Sequence, residues 1–402
     1  MFDDVNREYM GPSKRSETWF SFLNRSGRLE VARVRELLEK WFDIFPESED
    51  GLNKRDLLST FRNEDDDRAV LSAFFEMYCH ALLYHQGFVC EARPHTKDKN
   101  FDLLAKRNNK PEFCLECTTV SGVSNQEFKA NKVVNYIYDE LDERVLSPNF
   151  FLFVKVEQEG SQMPAVSRIA PRLNSWIQSL DLEEVTRQAA GNSSWLVNPP
   201  SLCKLDLVDP RGWHLTFIVI PKKENARGKP DVRPIGMESA GAKWVKFDRA
   251  LRKRLEEKAR RYGQLSLPYI IAVDGLDLYA DEDDFETVLT GTEGIHELDN
   301  TGCERLEEVR LQNFWYGPAG PRNRKVSGVL SAVYLTPNQA ASKVPLLWLN
   351  PWAEHVLNSN LWQGPKKVLR PKDSITKPLE VHAVPGNVGY EILDLDPNWP
   401  ND

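Results

Sequence analysis

The periodicity of the apolar residues changes at Gly87. Upstream of it they recur at helical spacing, and the acidic residues 64–67 mark the start of a helix that Gly87 ends. Downstream the pattern alternates as in strands and then mixes both periods, in the order strand 88–93, strand 101–106, strand 112–120, helix 126–144 and strand 150–156. A helix, three strands, a helix and a strand in this order predict an α/β fold between Leu71 and Glu157.

Three regions follow from this pattern. Residues 1–62 read as a helical N-terminal region, residues 63–160 as the α/β core, and residues 161–402 as a mixed α/β C-terminal region. Within the last region we predict a basic helix at 242–262 and an irregular tail after Trp362. The hydrophobic fraction of 41% is sufficient for a large core and excludes intrinsically disordered and disulfide-scaffold classes.

The expected environment is the cytoplasm. No stretch approaches 18 consecutive apolar residues, and the first residues carry no apolar run typical of a secretory signal. The six cysteines are too few and too scattered for a disulfide framework, so free thiols are expected. The sequence therefore predicts a cytoplasmic protein with no membrane partner.

The formal net charge of −8 is unevenly distributed along the chain. Residues 222–261 hold 14 Lys/Arg against 6 Asp/Glu, whereas residues 277–310 hold 12 acids against 2 bases. The predicted basic helix has one apolar stripe, and its other faces could contact phosphates. The residues predicted to bind nucleic acid are Lys246, Arg249, Arg252, Lys253 and Arg260. Two alternatives stay open: a solvated helix face, or ion pairs from Arg254 and Arg261 to the acidic block.

Carboxylates follow the predicted strands at positions that could bring them together. Strand alternation turns Glu116 away from the face of Leu115 and Cys117, and it turns Asp102 away from Phe101 and Leu103. If the two strands form a hairpin, both carboxylates meet on one side of the sheet, and Glu76 on the preceding helix could add a third oxygen ligand. Carboxylate oxygens are the ligands that Mg²⁺ or Mn²⁺ requires, and such an ion activates water and offsets charge on a phosphodiester.

These motifs resemble those of the PD-(D/E)xK nuclease superfamily. The resemblance rests on the run FE-x5-LL-x3-GF that begins at Phe75, on Asp102 after a short spacer, and on E-x-T at Glu116. The predicted order of elements is also similar to the α-β-β-β-α-β core of the superfamily, with its Mrr-like and Holliday-junction-resolving branches nearest. The resemblance implies a restriction-endonuclease-like fold and Mg²⁺- or Mn²⁺-dependent hydrolysis of nucleic acid. It favours DNA over RNA, a role in defence against foreign DNA, and a homodimer or a defence-system protein as partner.

Residue by residue, the resemblance assigns metal binding to Asp102 and Glu116, with Glu76 as the helix acid of some branches. The motif's lysine is replaced by Thr118, and some members carry that lysine on the following helix. Here Lys129 and Lys132 open the next predicted helix, so one of them is the expected catalytic lysine. The alternative is a catalytically inactive protein that keeps the fold as a scaffold or as a subunit that binds nucleic acid or protein.

Overall fold

A computed structural model describes residues 1–94, 101–229, 232–239, 247–291, 297–298, 304–305, 313–371 and 379–401. The chain is mixed α/β and divides into two compact units. The first, here the core unit, consists of residues 1–10, 17–123 and 246–402. The second, here the insert unit, consists of residues 11–16 and 124–245. In chain order the insert unit therefore interrupts the core unit.

The elements are numbered in chain order. The helices are α1 Trp19–Arg25, α2 Leu29–Ile44, α3 Leu52–Phe61, α4 Asp67–His85, α5 Asn125–Arg144, α6 Val166–Gln178, α7 Leu182–Ala189, α8 Phe247–Ala259, α9 Glu282–Thr290 and α10 Gly389–Leu393. The strands are β1 Val89–Ala92, β2 Leu103–Arg107, β3 Lys110–Val120, β4 Phe150–Gln158, β5 Lys204–Val208, β6 His214–Pro221, β7 Ile235–Ser239, β8 Tyr269–Gly275, β9 Glu297–Leu298, β10 Glu304–Arg305, β11 Tyr316–Gly317, β12 Gly320–Pro321, β13 Gly328–Val333, β14 Leu346–Leu349, β15 Lys366–Pro371 and β16 Leu379–Val384. Among the described residues no helix is both long and apolar enough to cross a bilayer.

The core unit is built on an eight-stranded sheet with the order β1-β2-β3-β8-β13-β14-β15-β16. Strands β1, β2 and β3 form an antiparallel meander, and β8 then pairs with β3 in parallel. The β2–β3 hairpin turns at Asn108 and Asn109, whose φ angles are +51° and +61°. Two positive φ angles suit a two-residue turn of type I′, and asparagine adopts them more readily than most residues. This turn sets the register of the two strands.

Helices α1 to α4 cover one face of the eight-stranded sheet. The predicted start and end of α4 are confirmed: the Asp66 carboxylate accepts the Arg68 N–H at 3.0 Å, and Gly87 follows the helix with φ +83°. The buried rings of Trp41 and Tyr78 meet edge to face, with centroids 5.7 Å apart. Burying side chains of this size stabilises the fold by about 1.5–3 kcal/mol each.

Helices α8 and α9 belong to the apolar cluster on the opposite face. The predicted stripe of α8 is buried at Phe247, Leu251, Leu255 and Ala259, and Tyr262 just beyond the helix is buried as well. They share this cluster with the β8 side chains Tyr269, Ile271 and Val273. Alternate residues of β8 thus enter opposite clusters, as the period of a central strand requires.

The insert unit has its own sheet, with the order β5-β6-β4-β7, and its own apolar core with α5, α6 and α7. Residues 11–16 belong to this unit because the Asp139 carboxylate on α5 accepts the N–H of Arg15 at 2.9 Å and the Ser16 hydroxyl at 2.6 Å. Helix α5 begins with a capping box between Ser124 and Glu127. The helix spans Asn125–Arg144, so the predicted range 126–144 is confirmed to within one residue.

The predicted contiguous core between Leu71 and Glu157 needs a correction. The strand expected at 150–156 is present as β4, but it pairs with β6 and β7 in the insert unit. In the eight-stranded sheet the place next to β3 is taken by β8. Local alternation predicts that a segment is a strand, whereas its partner depends on which apolar surfaces meet in the folded chain.

The regions 1–62, 63–160 and 161–402 stay a prediction of domain organisation. The two compact units divide near residues 123 and 246, and α1–α3 share one apolar cluster with α4 and the sheet. The tail after Trp362, predicted to be irregular, contains β15, β16 and α10. Strands β15 and β16 pair with each other at one edge of the sheet, and β15 also pairs with β14. Strand β16 is the edge strand, and each of the two strands buries a single residue, Leu369 in β15 and Leu379 in β16.

Candidate active site

The β2–β3 hairpin brings two acids next to each other. Leu103 pairs with Leu115, so Asp102, which precedes β2, lies beside Glu116 on the neighbouring strand. The Asp102 carboxylate accepts the backbone N–H of Cys117 at 2.7 Å. Glu116 is completely buried. The register thus places Asp102 next to Glu116, but the predicted alternation does not extend through Asp102, because Phe101 and Leu103 lie in opposite apolar clusters.

Three donors converge on the Glu116 carboxylate. Lys258 Nζ donates to Oε1 at 2.6 Å, Arg261 donates to the same oxygen, and the Tyr262 hydroxyl donates to Oε2. A buried carboxylate without such partners would incur a large desolvation penalty. Two cationic side chains and a phenol hydroxyl therefore satisfy the buried Glu116 carboxylate.

Helix α8 and the turn that follows it supply all three donors. Leu251, Leu255, Lys258 and Tyr262 are spaced as i, i+4, i+7 and i+11, so Lys258 occupies a position on the buried stripe. Only 14% of its side chain is exposed. A lysine at a position of the apolar stripe is the sequence signal for Lys258, which is not among the predicted site residues. Tyr262 continues the same stripe and is not among them either.

Glu76 on α4 completes an electrostatically coupled group of acids. Burial first, and then the negative charge of Asp102, raise the pKa of Glu76 to about 8. Burial, followed by the charge of Glu116, raises the pKa of Asp102 to about 6, although the Cys117 N–H and Lys258 act in the opposite direction. Asp102 and Glu116 both raise the pKa of Glu76, so the structure brings all three predicted acids together.

The donor set has the chemistry of a Mg²⁺ or Mn²⁺ site but is not arranged as one. Among the residues that the structure describes, no three His, Cys, Asp or Glu side chains are placed to hold a metal ion as they stand. At Glu116 the oxygens already accept from Lys258, Arg261 and Tyr262. A divalent ion bound by Asp102 and Glu116 would have to displace at least one of these donors.

The other predicted catalytic residues lie elsewhere in the chain. Lys129 and Lys132 belong to the first turns of α5, in the insert unit. The lysine that contacts Glu116 comes instead from the helix that precedes β8 in the core unit. Thr118, in the motif's lysine position, is buried on β3. A role for Lys129 or Lys132 stays a prediction.

The predicted nucleic-acid-binding residues lie along α8 and just after it, except Lys246, which falls outside the described residues. Arg249 and Lys253 are exposed, and Arg252 is half-buried. Arg260 pairs with Glu256 at 3.3 Å. Of the two arginines considered as partners of the acidic block, Arg254 approaches Glu257 at 3.5 Å and Arg261 contacts Glu116. The α9 acids Glu282 and Glu286 pair with Lys367.

A cleft of about 830 Å³ opens beside the acids. Its wall includes the Phe101 and Tyr262 rings, whose centroids lie 4.3 Å apart, and Arg93. Arg93 has a φ of +42°, an unusual angle for a residue other than glycine, and its guanidinium pairs with Asp56 at 2.9 Å. The same guanidinium lowers the pKa of Glu76 against the effect of burial. The cleft is therefore bordered by Phe101 and Tyr262, which adjoin the acids, while Glu76, Asp102 and Glu116 are not part of its lining.

Comparison with known proteins does not add a family. No protein-family model, curated protein or solved structure matches the chain.

Proposed function

We propose that the core unit is a metal-dependent nuclease that hydrolyses phosphodiester bonds, with DNA favoured as substrate. The observation that carries the proposal is the buried Glu116 beside Asp102, with the Lys258 ammonium 2.6 Å from its carboxylate. Two neighbouring acids and a lysine are the groups that hydrolysis by an activated water requires. A role in defence against foreign DNA rests on the family resemblance alone.

The order of elements in the core unit supports the same proposal. Helix α4, strands β1 to β3, helix α8 and strand β8 follow one another in the core unit once residues 124–245 are set aside. Strand β8 is parallel to β3, which requires a crossover connection, and α8 lies within that connection. This order is similar to the α-β-β-β-α-β core of the PD-(D/E)xK superfamily. The lysine would then come from the crossover helix, which is α8 rather than α5.

In this proposal each residue has a distinct part. Asp102 and Glu116 would hold Mg²⁺ or Mn²⁺, which when bound supplies an activated water and neutralises charge on the phosphodiester. Lys258 would orient that water or stabilise the developing negative charge. Glu76 keeps its proton near neutral pH because its pKa is about 8, so it would become a ligand only when a nearby cation lowers that pKa.

The test uses purified protein with supercoiled plasmid, linear duplex and RNA, each with Mg²⁺, with Mn²⁺ and with EDTA. We expect metal-dependent cleavage that falls at least about 100-fold in Glu116→Gln and Asp102→Asn. Asp274→Asn is the matched control, because Asp274 is an equally buried acid on the adjacent strand β8. Thermal melting checks that every variant is folded. Absence of metal-dependent cleavage of all three substrates, or equal cleavage by Glu116→Gln, would overturn the proposal.

A scaffold without catalysis is the second candidate. The observation in its favour is that Lys258, Arg261 and Tyr262 together engage both oxygens of Glu116, as in a structural ion-pair network. A scaffold predicts that Glu116→Gln lowers the melting temperature while no substrate is cut by the wild type. The same cleavage and melting measurements therefore separate the two functions.

A further inference from the structure

Glu116 Oε1 is shared by two cations of different accessibility. Lys258 approaches it from the helix with 14% of its side chain exposed, whereas 43% of the Arg261 side chain is exposed. Arg261 lies in the irregular turn after α8, and Gly263 follows two residues later. The arginine can therefore leave the carboxylate by a movement of its side chain, while Lys258 is held by the packed helix.

The number of hydrogen bonds that Glu116 Oε1 can accept limits what else can bind to this oxygen. A carboxylate oxygen offers about two lone-pair positions, and Lys258 and Arg261 use both on Oε1. The other oxygen, Oε2, accepts from the buried Tyr262 hydroxyl. A further cation at Oε1 must displace Lys258 or Arg261. Arg261 is the less costly to displace because it is the more exposed of the two.

The charge balance favours the same exchange. Asp102 and Glu116 are matched in charge by Lys258 and Arg261, so a divalent ion added to the group leaves an excess of positive charge. Departure of Arg261 reduces that excess by one positive charge.

We propose that Arg261 and a divalent cation compete for Glu116 Oε1, and that the displaced guanidinium binds a phosphate of the substrate. The inference rests on the proposed nuclease function and deepens it by linking metal loading to substrate binding. The guanidinium is suited to the second role because its fork of N–H donors matches two phosphate oxygens. Arg261 also lies within 5.7 Å of the Tyr262 ring, which borders the cleft. It is a positioning residue for metal and substrate rather than a catalytic one.

The experiment measures Mn²⁺ affinity by calorimetry and duplex DNA affinity in EDTA and in Ca²⁺, on the full chain. We expect Arg261→Gln to bind Mn²⁺ about tenfold more tightly, because one competing positive charge is removed. We expect the same variant to lose most of the gain in DNA affinity that Ca²⁺ gives the wild type. Arg261→Lys keeps the charge but not the fork, so its Mn²⁺ affinity should stay near that of the wild type while the gain in DNA affinity falls.

Arg254→Gln is the matched control, because the Arg254 side chain is 44% exposed, against 43% for Arg261, and it pairs with Glu257 at 3.5 Å. It should leave both affinities within about twofold of the wild type. Equal or weaker Mn²⁺ binding by Arg261→Gln, with binding by the wild type intact, overturns this inference and leaves the nuclease proposal standing. Absence of Mn²⁺ binding by both proteins overturns the metal site itself and the inference with it. Melting curves check folding, and Arg261→Lys retains the ion pair if Arg261→Gln fails to fold.

Discussion

Helices α5 and α8 both follow strand β3 in the chain, but only α8 meets it in the core unit. Helix α5 comes directly after β3, has a complete capping box, and carries Lys129 and Lys132 in its first turns. Helix α8 comes after the insert unit and places Lys258 against the Glu116 carboxylate. The contrast teaches that the next helix in sequence need not be the next helix in the fold. Residues 124–245 separate β3 from α8 in the chain, and the lysine that contacts Glu116 lies on α8.

A buried acid in each unit accepts hydrogen bonds, but from donors of different kinds. Asp139 on α5 accepts backbone N–H groups and a hydroxyl from residues 15 and 16, which tie a short segment to its unit. Glu116 accepts from side chains that carry two positive charges and a phenol. Backbone donors fix a position, whereas a cationic side chain can be exchanged for another cation such as a metal ion. This difference makes Glu116 the better candidate for chemistry.

The largest expected effect tests which helix supplies the lysine. In a cleavage assay with Mg²⁺, Lys258→Met should lower turnover by about 10²–10³-fold, because a charge-stabilising donor is lost. Lys129→Met and Lys132→Met are matched controls on α5 and should stay within about threefold of the wild type. A larger loss in either α5 variant than in Lys258→Met would reverse the comparison between the helices.

A stability measurement compares the two buried acids. Glu116→Ala leaves Lys258 and Arg261 without their buried partner, so we expect a loss of about 3–5 kcal/mol in the free energy of unfolding. Asp139→Ala leaves two backbone N–H groups and a hydroxyl unpaired, while the Arg15 guanidinium keeps Asp142 as its closer partner, so about 1–3 kcal/mol is expected. Urea unfolding measures both. Equal losses at the two positions would contradict the distinction drawn between them.

The pH dependence of stability provides a third test. Folding raises the pKa of Asp102 from 3.8 to about 6 and that of Glu76 from 4.5 to about 8. Between these limits the folded chain binds more protons than the unfolded chain, so these two groups favour folding below about pH 4 and that contribution is lost as the pH rises toward about 8. Glu76→Gln should flatten this slope between about pH 5 and pH 8 in thermal melts. An unchanged slope would mean that Glu76 ionises as it does in the unfolded chain.

The smallest expected effect concerns the exposed basic faces of α8. Arg249→Ala and Lys253→Ala should each weaken duplex binding slightly and reduce the slope of log affinity against log salt by about 0.9 if each contacts one phosphate. Lys129→Ala, an exposed lysine on α5, is the control. Equal changes in the slope for the α5 and α8 variants would remove the preference for α8 as a phosphate contact.

Much of the local structure could be predicted from the sequence. Helical spacing and an acidic start predicted α4, and Gly87 predicted its end, because capping and periodicity depend on neighbouring residues only. The alternation around Glu116 correctly placed that side chain opposite Leu115 and Cys117, on the side of the α8 cluster. These are properties of residues within one or two elements.

Pairing between distant elements could not be predicted in this way. The strand at 150–156 alternates as a core strand should, yet its apolar surface is buried in the insert unit. Strands β15 and β16 each bury one residue, Leu369 and Leu379, so neither shows the alternating burial by which a strand is recognised. Nothing in the local pattern of either segment specifies its partner.

The sequence by itself determined the acids, the strand phase of Glu116 and the presence of a basic amphipathic helix, since each depends on short-range periodicity. The tertiary structure decided that α8 rather than α5 packs beside β3 in the core unit, and therefore that Lys258, Arg261 and Tyr262 meet Glu116. The physical reason is that a buried carboxylate is satisfied by whichever donors the packing of apolar stripes brings to it. Those stripes are separated by the whole insert unit in the chain, and they meet only in the folded protein.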